Sequence, residues 1–467
     1  MLTFKNITVR NAAMLRRYYE NCDYALCEYS AGVKLMWRSA LRYAWAEAAG
    51  CLIIRCESEG RVSFDYPVAG PDGDEDAALS AIEAYCMETG IQPEISIVPE
   101  EKAPVLLSRY PYVRVSNIRT WRDYLYYKED LQLFAGRRYS GQRNHIKKFY
   151  AQWPNAEFRP ISAKADAGAI EQFWGDFKAE FPKDSGSKAM AELELSKKMM
   201  AMPDKPWLLR GGMFDGEKLI ALSLCEKCGE TLIIHIEKAL YSYAGAYPAM
   251  VQAEVAAFGD GCAYVNREDD AGDRGLRTSK LQYLPVRLAG KLRFEVQCEA
   301  DRLREIPTVT TPRLTLTPLE ERDEAAYNAL CLDDARNRWW GYDYRQDLKG
   351  ELTEDYFLSV ARRDFAARRA VNFAVRLDHQ LIGEVVLYRF DCRGGAELGC
   401  RIDKAYAGNG YGTEAFAAVA EWGLYKIHLS RVVAKCYKEN QASYKMLSAC
   451  MRKKGEDDTF FYFEKLV

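Results

Sequence analysis

"DKAYAGNGYGTEAF", residues 403–416, decides how the C-terminal third of this chain is read. Gly408, Gly410 and Gly412 recur at every second position, and an alanine-rich helical stretch follows at once. Glycines so spaced let a backbone turn tightly and come close to a ligand. At a helix start, such a loop presents unpaired N–H groups with the positive end of the helix dipole behind them, which suits a phosphate. Thr413 is placed to cap that helix. The spacing is neither Gly-x-Gly-x-x-Gly with a ribose-binding acid nor Gly-x-x-x-x-Gly-Lys-Ser/Thr, so a dinucleotide fingerprint and a nucleotide P-loop both fit poorly. The alternative to a ligand loop is a glycine-rich tight turn.

Around the loop the pattern is compact. "RLTLTPL" alternates like a strand, and two helices follow, the second with Thr353 as its expected N-cap. "AVNFAVRLDHQLIGEVVLYRFDCRGGAELGCRID" predicts a three-strand meander with turns at "LDHQ" and "CRGG". After the loop come a helix, the strand "SRVVAKCYK" and the helix "NQASYKMLSACM". Pro307, Pro312 and Pro318 crowd the start of this region and mark a boundary near residue 306.

A similar order precedes the boundary. "WLLRGGMF", "KLIALSLCEK" and "TLIIHIEKA" predict strands, the first two joined by an Asp215–Gly216 hairpin turn. A helix, a short strand and another helix follow. Residues 1–150 read as a further, degenerate copy of the same unit. The expected fold class is α/β (α+β), with repeated units: lobes at 1–155 and 156–297, a linker at 298–308, and a separate domain with a mixed central sheet at 309–467.

The 467 residues are enough for several domains. With 48% hydrophobic and 28% charged residues, the balance is that of a soluble globular protein. The formal net charge of -2 excludes a global positive field, so any nucleic-acid or membrane contact must be local. No apolar run reaches the roughly 18 residues that span a bilayer, and the N-terminus lacks a signal-peptide core. The expectation is a cytoplasmic protein of bacterial type. Most of the 14 cysteines sit singly in apolar segments. The Cys225–Cys228 pair has no second ligand pair, so no metal is expected.

Residues 309–467 resemble the GNAT N-acetyltransferase family, in the subgroup that acetylates ribosomal-protein N-termini. "TPRLTLTPLEERD", "ELGCRIDKAYAGNGYGTEA" and "KENQASYKMLSACM" carry the likeness, in the right order. It implies acetyl-CoA as cofactor and a small-molecule or peptide amine as acceptor. It also implies site roles. Gly408, Asn409, Gly410, Tyr411, Gly412 and Thr413 would hold the pyrophosphate. Cys400, Arg401 and Ile402 would bond the pantetheine arm as a strand would, and Asn440 would bind the same arm. Glu397 would be the base, or else a strand-end carboxylate. Ser443 or Tyr444 would be the general acid, because the tyrosine many members use there is Leu447. Ala407 stands where the family has a basic or amide residue. Trp339 and Trp340, with Tyr342 in the same "RNRWWGYDYRQD" loop, either wall the amine pocket or belong to the core.

Residues 1–297 resemble the soluble relatives of the C-terminal domain of phosphatidylglycerol lysyltransferases. "DYLYYKEDLQLFAGRRYSGQRNHIKKF", "LIIHIEKAL" and "YVNREDDAGDRGLRTSKLQYLPVRL" carry that likeness, which implies an aminoacyltransferase-like double lobe. Arg137, Arg138, Arg143, Lys147 and Lys148 run without an intervening acid, beside His145. They form either a tRNA-binding face or a solvated helix face. Glu237 and Lys238 end a central strand and are candidate substrate ligands. Arg277 and Lys280 either bind an anion or pair with Glu268, Asp269 and Asp270. "YSYAGAY" has one glycine where the C-terminal loop has three, which argues against ordinary CoA binding there.

Overall fold

In the computed structural model, which describes residues 2–181 and 187–467, the chain divides into two compact units. One comprises Met1–Tyr85, Pro93–Pro104 and Val115–Phe294; the other comprises Cys86–Gln92, Val105–Arg114 and Glu295–Val467. Among the described residues there are three mixed sheets, and a parallel strand pair recurs in each.

The second unit holds the expected meander. Its strands Ala370–Leu377, Gln380–Tyr388 and Gly395–Ile402 lie side by side and antiparallel. Asp378 and His379 both take positive φ, the two-residue hairpin geometry that matches strand twist. At "CRGG", Cys392 and Gly394 take positive φ, and the Asp391 carboxylate accepts the N–H groups of Arg393 and Gly395. The strand Arg431–Tyr437 joins Gly395–Ile402 in parallel, and the C-terminal strand Phe460–Leu466 inserts between it and the edge strand Arg452–Glu456. The helix Tyr411–Tyr425 buries Phe416, Val419, Trp422 and Leu424. Thr353 does not cap the helix Tyr356–Ala366: Asp355 stands at the N-cap position without a side-chain bond to the first turn, and the Thr353 hydroxyl donates to the Asp355 carboxylate at 2.7 Å.

The first unit contains two sheets. One includes Cys51–Ser58, Arg61–Asp65 and Glu94–Pro99, with Arg61–Asp65 and Glu94–Pro99 parallel. The other runs Arg287–Ala289, Asp123–Tyr127, Tyr264–Asn266, Thr231–Ala239, Lys218–Cys228, Leu209–Asp215, Ala156–Pro160. The Asp215–Gly216 turn forms, with Gly216 at positive φ. Two strands cross between the sheets. Asp123–Tyr127, in the stretch expected for the first lobe, pairs in the second sheet, and Lys291–Val296, from the second, pairs in the first. No helix is long and apolar enough to cross a membrane among the described residues.

Candidate functional site

In the C-terminal unit the strand Gly395–Ile402 pairs with Arg431–Tyr437 at Gly395↔Arg431, Ala396↔Val432 and Glu397↔Val433, and there the parallel pairing stops. Its other edge stays paired with Gln380–Tyr388 as far as Ile402. The backbone of 398–402, which includes Cys400, Arg401 and Ile402, is therefore open on one side. The glycine loop follows directly. Gly408 and Gly410 have φ of +82° and +80°, a region L side chains enter at a cost, and Gly410 is the N-cap of the helix Tyr411–Tyr425. Gly412 is helical and serves a different end. A Cβ there would lie 3.4 Å from both Ile402 Cγ1 and Met446 Sδ, so its absence lets the helix approach the strand. Thr413 is not the cap. The helix begins two residues earlier, and no side chain caps it. The N–H of Glu414 reaches Gly410 O at 3.1 Å, which leaves the N–H groups of the preceding turn for an outside acceptor. Asn409 braces the loop by donating Nδ2–H to the carbonyls of Tyr406 and Ala407, each at 3.2 Å.

Alternation puts Glu397, Gly399 and Arg401 on one face of the strand and Cys400 and Ile402 on the face toward the helix. Glu397 is 9% exposed and accepts the Tyr388 hydroxyl at 2.8 Å; Arg389 approaches at 3.3 Å. Burial, and then the Glu397 charge, push the Tyr388 phenol well above its usual range, so this hydroxyl stays a donor. Trp340 lies across Gly399, where a Cβ would meet its ring at 3.3 Å, and the Arg401 guanidinium sits 4.6 Å from the same ring. Arg401 is half-buried, ion-paired to Glu384 at 2.5 Å and bonded to Asn337 Oδ1 at 2.7 Å. Trp339 packs on Tyr437. Tyr342 is at the surface, bonded to Asp347. Asn440 caps the helix Gln441–Cys450 by accepting the Ser443 N–H at 3.1 Å, and the Tyr444 ring packs tilted against Phe461 and edge-on to Phe463. The Glu397 face thus gathers Tyr388, Arg389 and Trp340, while Asn440 and Ser443 are engaged in a helix start.

The second sheet of the N-terminal unit repeats the splayed pair. Thr231–Ala239 runs parallel to Tyr264–Asn266 at Thr231↔Tyr264, Leu232↔Val265 and Ile233↔Asn266, and His235 and Glu237 lie beyond that point. The helix start that follows is closed. A Cβ on Gly245 would fall 2.8 Å from the His145 carbonyl oxygen, because the helix Ser140–Gln152 covers this loop. Glu237 forms two hydrogen bonds with Arg267, at 2.9 and 3.0 Å, and Lys238 pairs with Glu192 at 3.0 Å. Arg277 pairs with Asp270, while Lys280 is buried and donates to the carbonyls of Arg267 and Asp269. In the basic run, Arg143 donates to the Phe134 and Gly136 carbonyls and Arg138 pairs with Asp130; Arg137, His145, Lys147 and Lys148 are exposed.

Sequence reading missed the most concentrated charges of this unit. Lys291 Nζ lies 2.7 Å from Asp123 Oδ1, 2.7 Å from Glu28 Oε1 and 3.3 Å from Cys27 Sγ. Asp123 Oδ2 also accepts from Cys27 N at 2.7 Å and from Asn266 Nδ2 at 2.8 Å. Cys27, Glu28 and Asp123 are a donor set of metal-binding type, and the Lys291 ammonium already bonds to all three. Burial raises the Glu28 carboxyl to about 7 against the pull of Lys291. Nearby, His235 faces Glu268 at 2.9 Å and Glu226 at 3.4 Å, and Glu226 accepts the Ala31 and Gly32 N–H groups. Burial alone would lower the His235 pKa; the bonds to Glu226 and Glu268 outweigh it and hold it at about 9. One signal was visible, a histidine following the apolar run of "TLIIHIEKA"; Lys291 is one of three charged residues in "KLRFEV" and does not stand out there.

Residues 21–291 match the family described as phosphatidylglycerol lysyltransferase, C-terminal, and residues 313–450 match the acetyltransferase (GNAT) domain. The uncharacterized N-acetyltransferase YnaD of Bacillus subtilis (strain 168) is 28% identical over 170 residues, covering 34% of this chain and 87% of YnaD. A crystal structure of a conserved protein of unknown function from Bacteroides thetaiotaomicron aligns at TM-score 0.53 and 23% identity, over 63% of this chain and 99% of that one. Mycobacterium smegmatis RimJ, solved in complex with CoA-disulfide, aligns at TM-score 0.30 and 20% identity, over 35% of this chain and 88% of that one.

Proposed function

The chain belongs to the phosphatidylglycerol lysyltransferase C-terminal family and carries a GNAT acetyltransferase domain behind it, and on that premise we propose that residues 309–467 move an acetyl group from acetyl-CoA to a primary amine. One observation carries this reading: the strand Gly395–Ile402 parts from its neighbour just ahead of a glycine loop that opens a 15-residue helix. The open strand edge offers backbone donors and acceptors to a pantetheine arm. The uncapped first turn offers N–H groups and a positive dipole to the pyrophosphate. Acetyl-CoA, when bound, supplies the thioester.

The chain's own residues orient the amine and manage its proton. Glu397 takes a proton from the amine as the C–N bond forms and the C–S bond breaks, and Tyr388 holds the carboxylate in place. Trp340 walls this face of the strand and keeps water from it. Much of the rate comes from holding thioester and amine together. Ser443 protonates the departing thiolate in this scheme, and the acceptor is a small molecule or a peptide amine.

The N-terminal double lobe is aminoacyltransferase-like, and its covered Gly245 loop supports a substrate other than CoA. A second reading makes that half an aminoacyl-tRNA-dependent transferase or an acceptor-binding module served by the GNAT domain, favoured by the exposed Arg137, Lys147 and Lys148. A cytoplasmic site of action fits both readings.

The test is steady-state thiol release from acetyl-CoA by the intact chain across a panel of primary amines. Turnover with at least one amine is expected. Glu397→Gln should lower kcat by about 10²–10⁴. Equal turnover in E397Q would move the base elsewhere, and no turnover with any amine would remove the enzymatic reading.

A further inference from the structure

We infer that Arg313 is a positioning residue of the phosphate loop, holding the loop's shape and cancelling the Glu414 charge so that the first turn of the helix Tyr411–Tyr425 can accept an anion. The inference rests on the acetyl-CoA reading above and goes beyond it. Glu414 is the acid in that first turn. There a carboxylate favours the helix dipole, but it opposes any phosphate brought to the same N–H groups. Here it is tied back on every side. Oε1 accepts the Thr311 hydroxyl at 2.6 Å and the Arg313 N–H at 2.9 Å, and Oε2 accepts Arg313 Nε at 2.6 Å.

The same guanidinium reaches the loop. Arg313 Nη1 donates to the Asn409 carbonyl at 2.9 Å, and its Cζ lies 4.7 Å from the Tyr411 ring. Nη2 sits 3.4 Å from where a Cβ on Gly410 would project. One side chain therefore bridges the residue before the cap, the residue after it and the first-turn acid. An arginine suits this because its planar fork makes several directed bonds at once. The pair is 46% and 15% exposed, so the charges are partly screened and the effect is on ligand affinity more than on fold.

Calorimetry with CoA on the intact chain tests the inference. Arg313→Ala should weaken Kd by about tenfold, and raise KM for acetyl-CoA in step while kcat at saturation is kept. Glu414→Gln, which removes the negative charge and keeps Arg313, should tighten binding by about threefold. The R313A/E414Q double variant should recover most of the loss in R313A, because the charge that Arg313 cancels is gone. An R313A chain that binds CoA like the wild type overturns the inference. So does a double variant as weak as R313A, since cancelling the Glu414 charge would then contribute nothing to anion binding. If R313A melts early, Arg313→Gln carries the same comparison. A wild-type chain that fails to bind CoA refutes the acetyl-CoA reading, and this inference with it.

Discussion

Lys291 Nζ and Asp123 Oδ1 lie 2.7 Å apart, with no solvent exposure on either side chain. The two come from strands of different sheets, so the pair joins the lobes of the N-terminal unit. Removing the lysine leaves the buried Asp123 carboxylate without its cation. Lys291→Met should destabilise this unit by about 3–5 kcal/mol, and K291M/D123N should recover much of that. Chemical denaturation of the intact chain measures both, and a loss below about 1 kcal/mol would mean that the Asp123 charge is satisfied without the lysine.

His235 predicts a pH dependence of stability. Its folded pKa of about 9 stands above the ordinary 6.5, so the folded state binds the proton more tightly. The contribution is fully present below about pH 6.5 and is lost as pH rises through about 9, with a slope of at most about 1.4 kcal/mol per pH unit. His235→Gln should flatten that part of the curve. Unfolding titrations at pH 6, 7.5 and 9 on both proteins decide it, and parallel curves would count against a charged His235.

Gly410→Val should strike binding before fold. Its φ of +80° costs an L residue roughly 1–2 kcal/mol, and a branched side chain adds crowding beside the Arg313 guanidinium. KM for acetyl-CoA should rise at least about tenfold while the melting temperature falls by only a few degrees. Unchanged acetyl-CoA kinetics in a folded variant would make the loop a turn and nothing more.

The basic face is smaller than its composition implies. Arg143 and Arg138 are held by the Phe134 and Gly136 carbonyls and by Asp130, which leaves Arg137, Lys147 and Lys148 to meet a polyanion. Binding of tRNA should therefore be weak and should fade between about 50 and 200 mM salt, with a slope no steeper than three phosphate contacts give. Filter binding at the two concentrations checks this. Tight binding that survives the higher salt and is lost in R137A/K147A/K148A would favour the aminoacyl-tRNA reading.

Much of the backbone geometry around the C-terminal candidate site was legible because its signals are local. Gly408 and Gly410 stand where backbone angles demand them, and the Asp378–His379 turn sits between alternating strands, as the Asp215–Gly216 turn does in the N-terminal unit. Thr413 misled because a threonine near a helix start resembles a cap, whereas Gly410, three residues earlier, ends the turn in the left-handed region. Trp340 was visible as an aromatic in a loop, but its seat on Gly399 was not, since 59 residues separate them.

By itself, the sequence determined what short windows encode: the glycine loop, the hairpins, the strand and helix order, and the family likeness those motifs carry. Tertiary structure alone decided which strands pair across the lobes, and with that the Lys291–Asp123–Cys27 cluster, whose members lie up to 264 residues apart. It also decided that the His145 carbonyl covers the Gly245 loop while the Gly408–Gly410 loop stays open. The reason is physical. Backbone angles and periodicity depend on neighbouring residues, whereas the burial of a charge, or the covering of a helix start, depends on which distant element the fold packs against it.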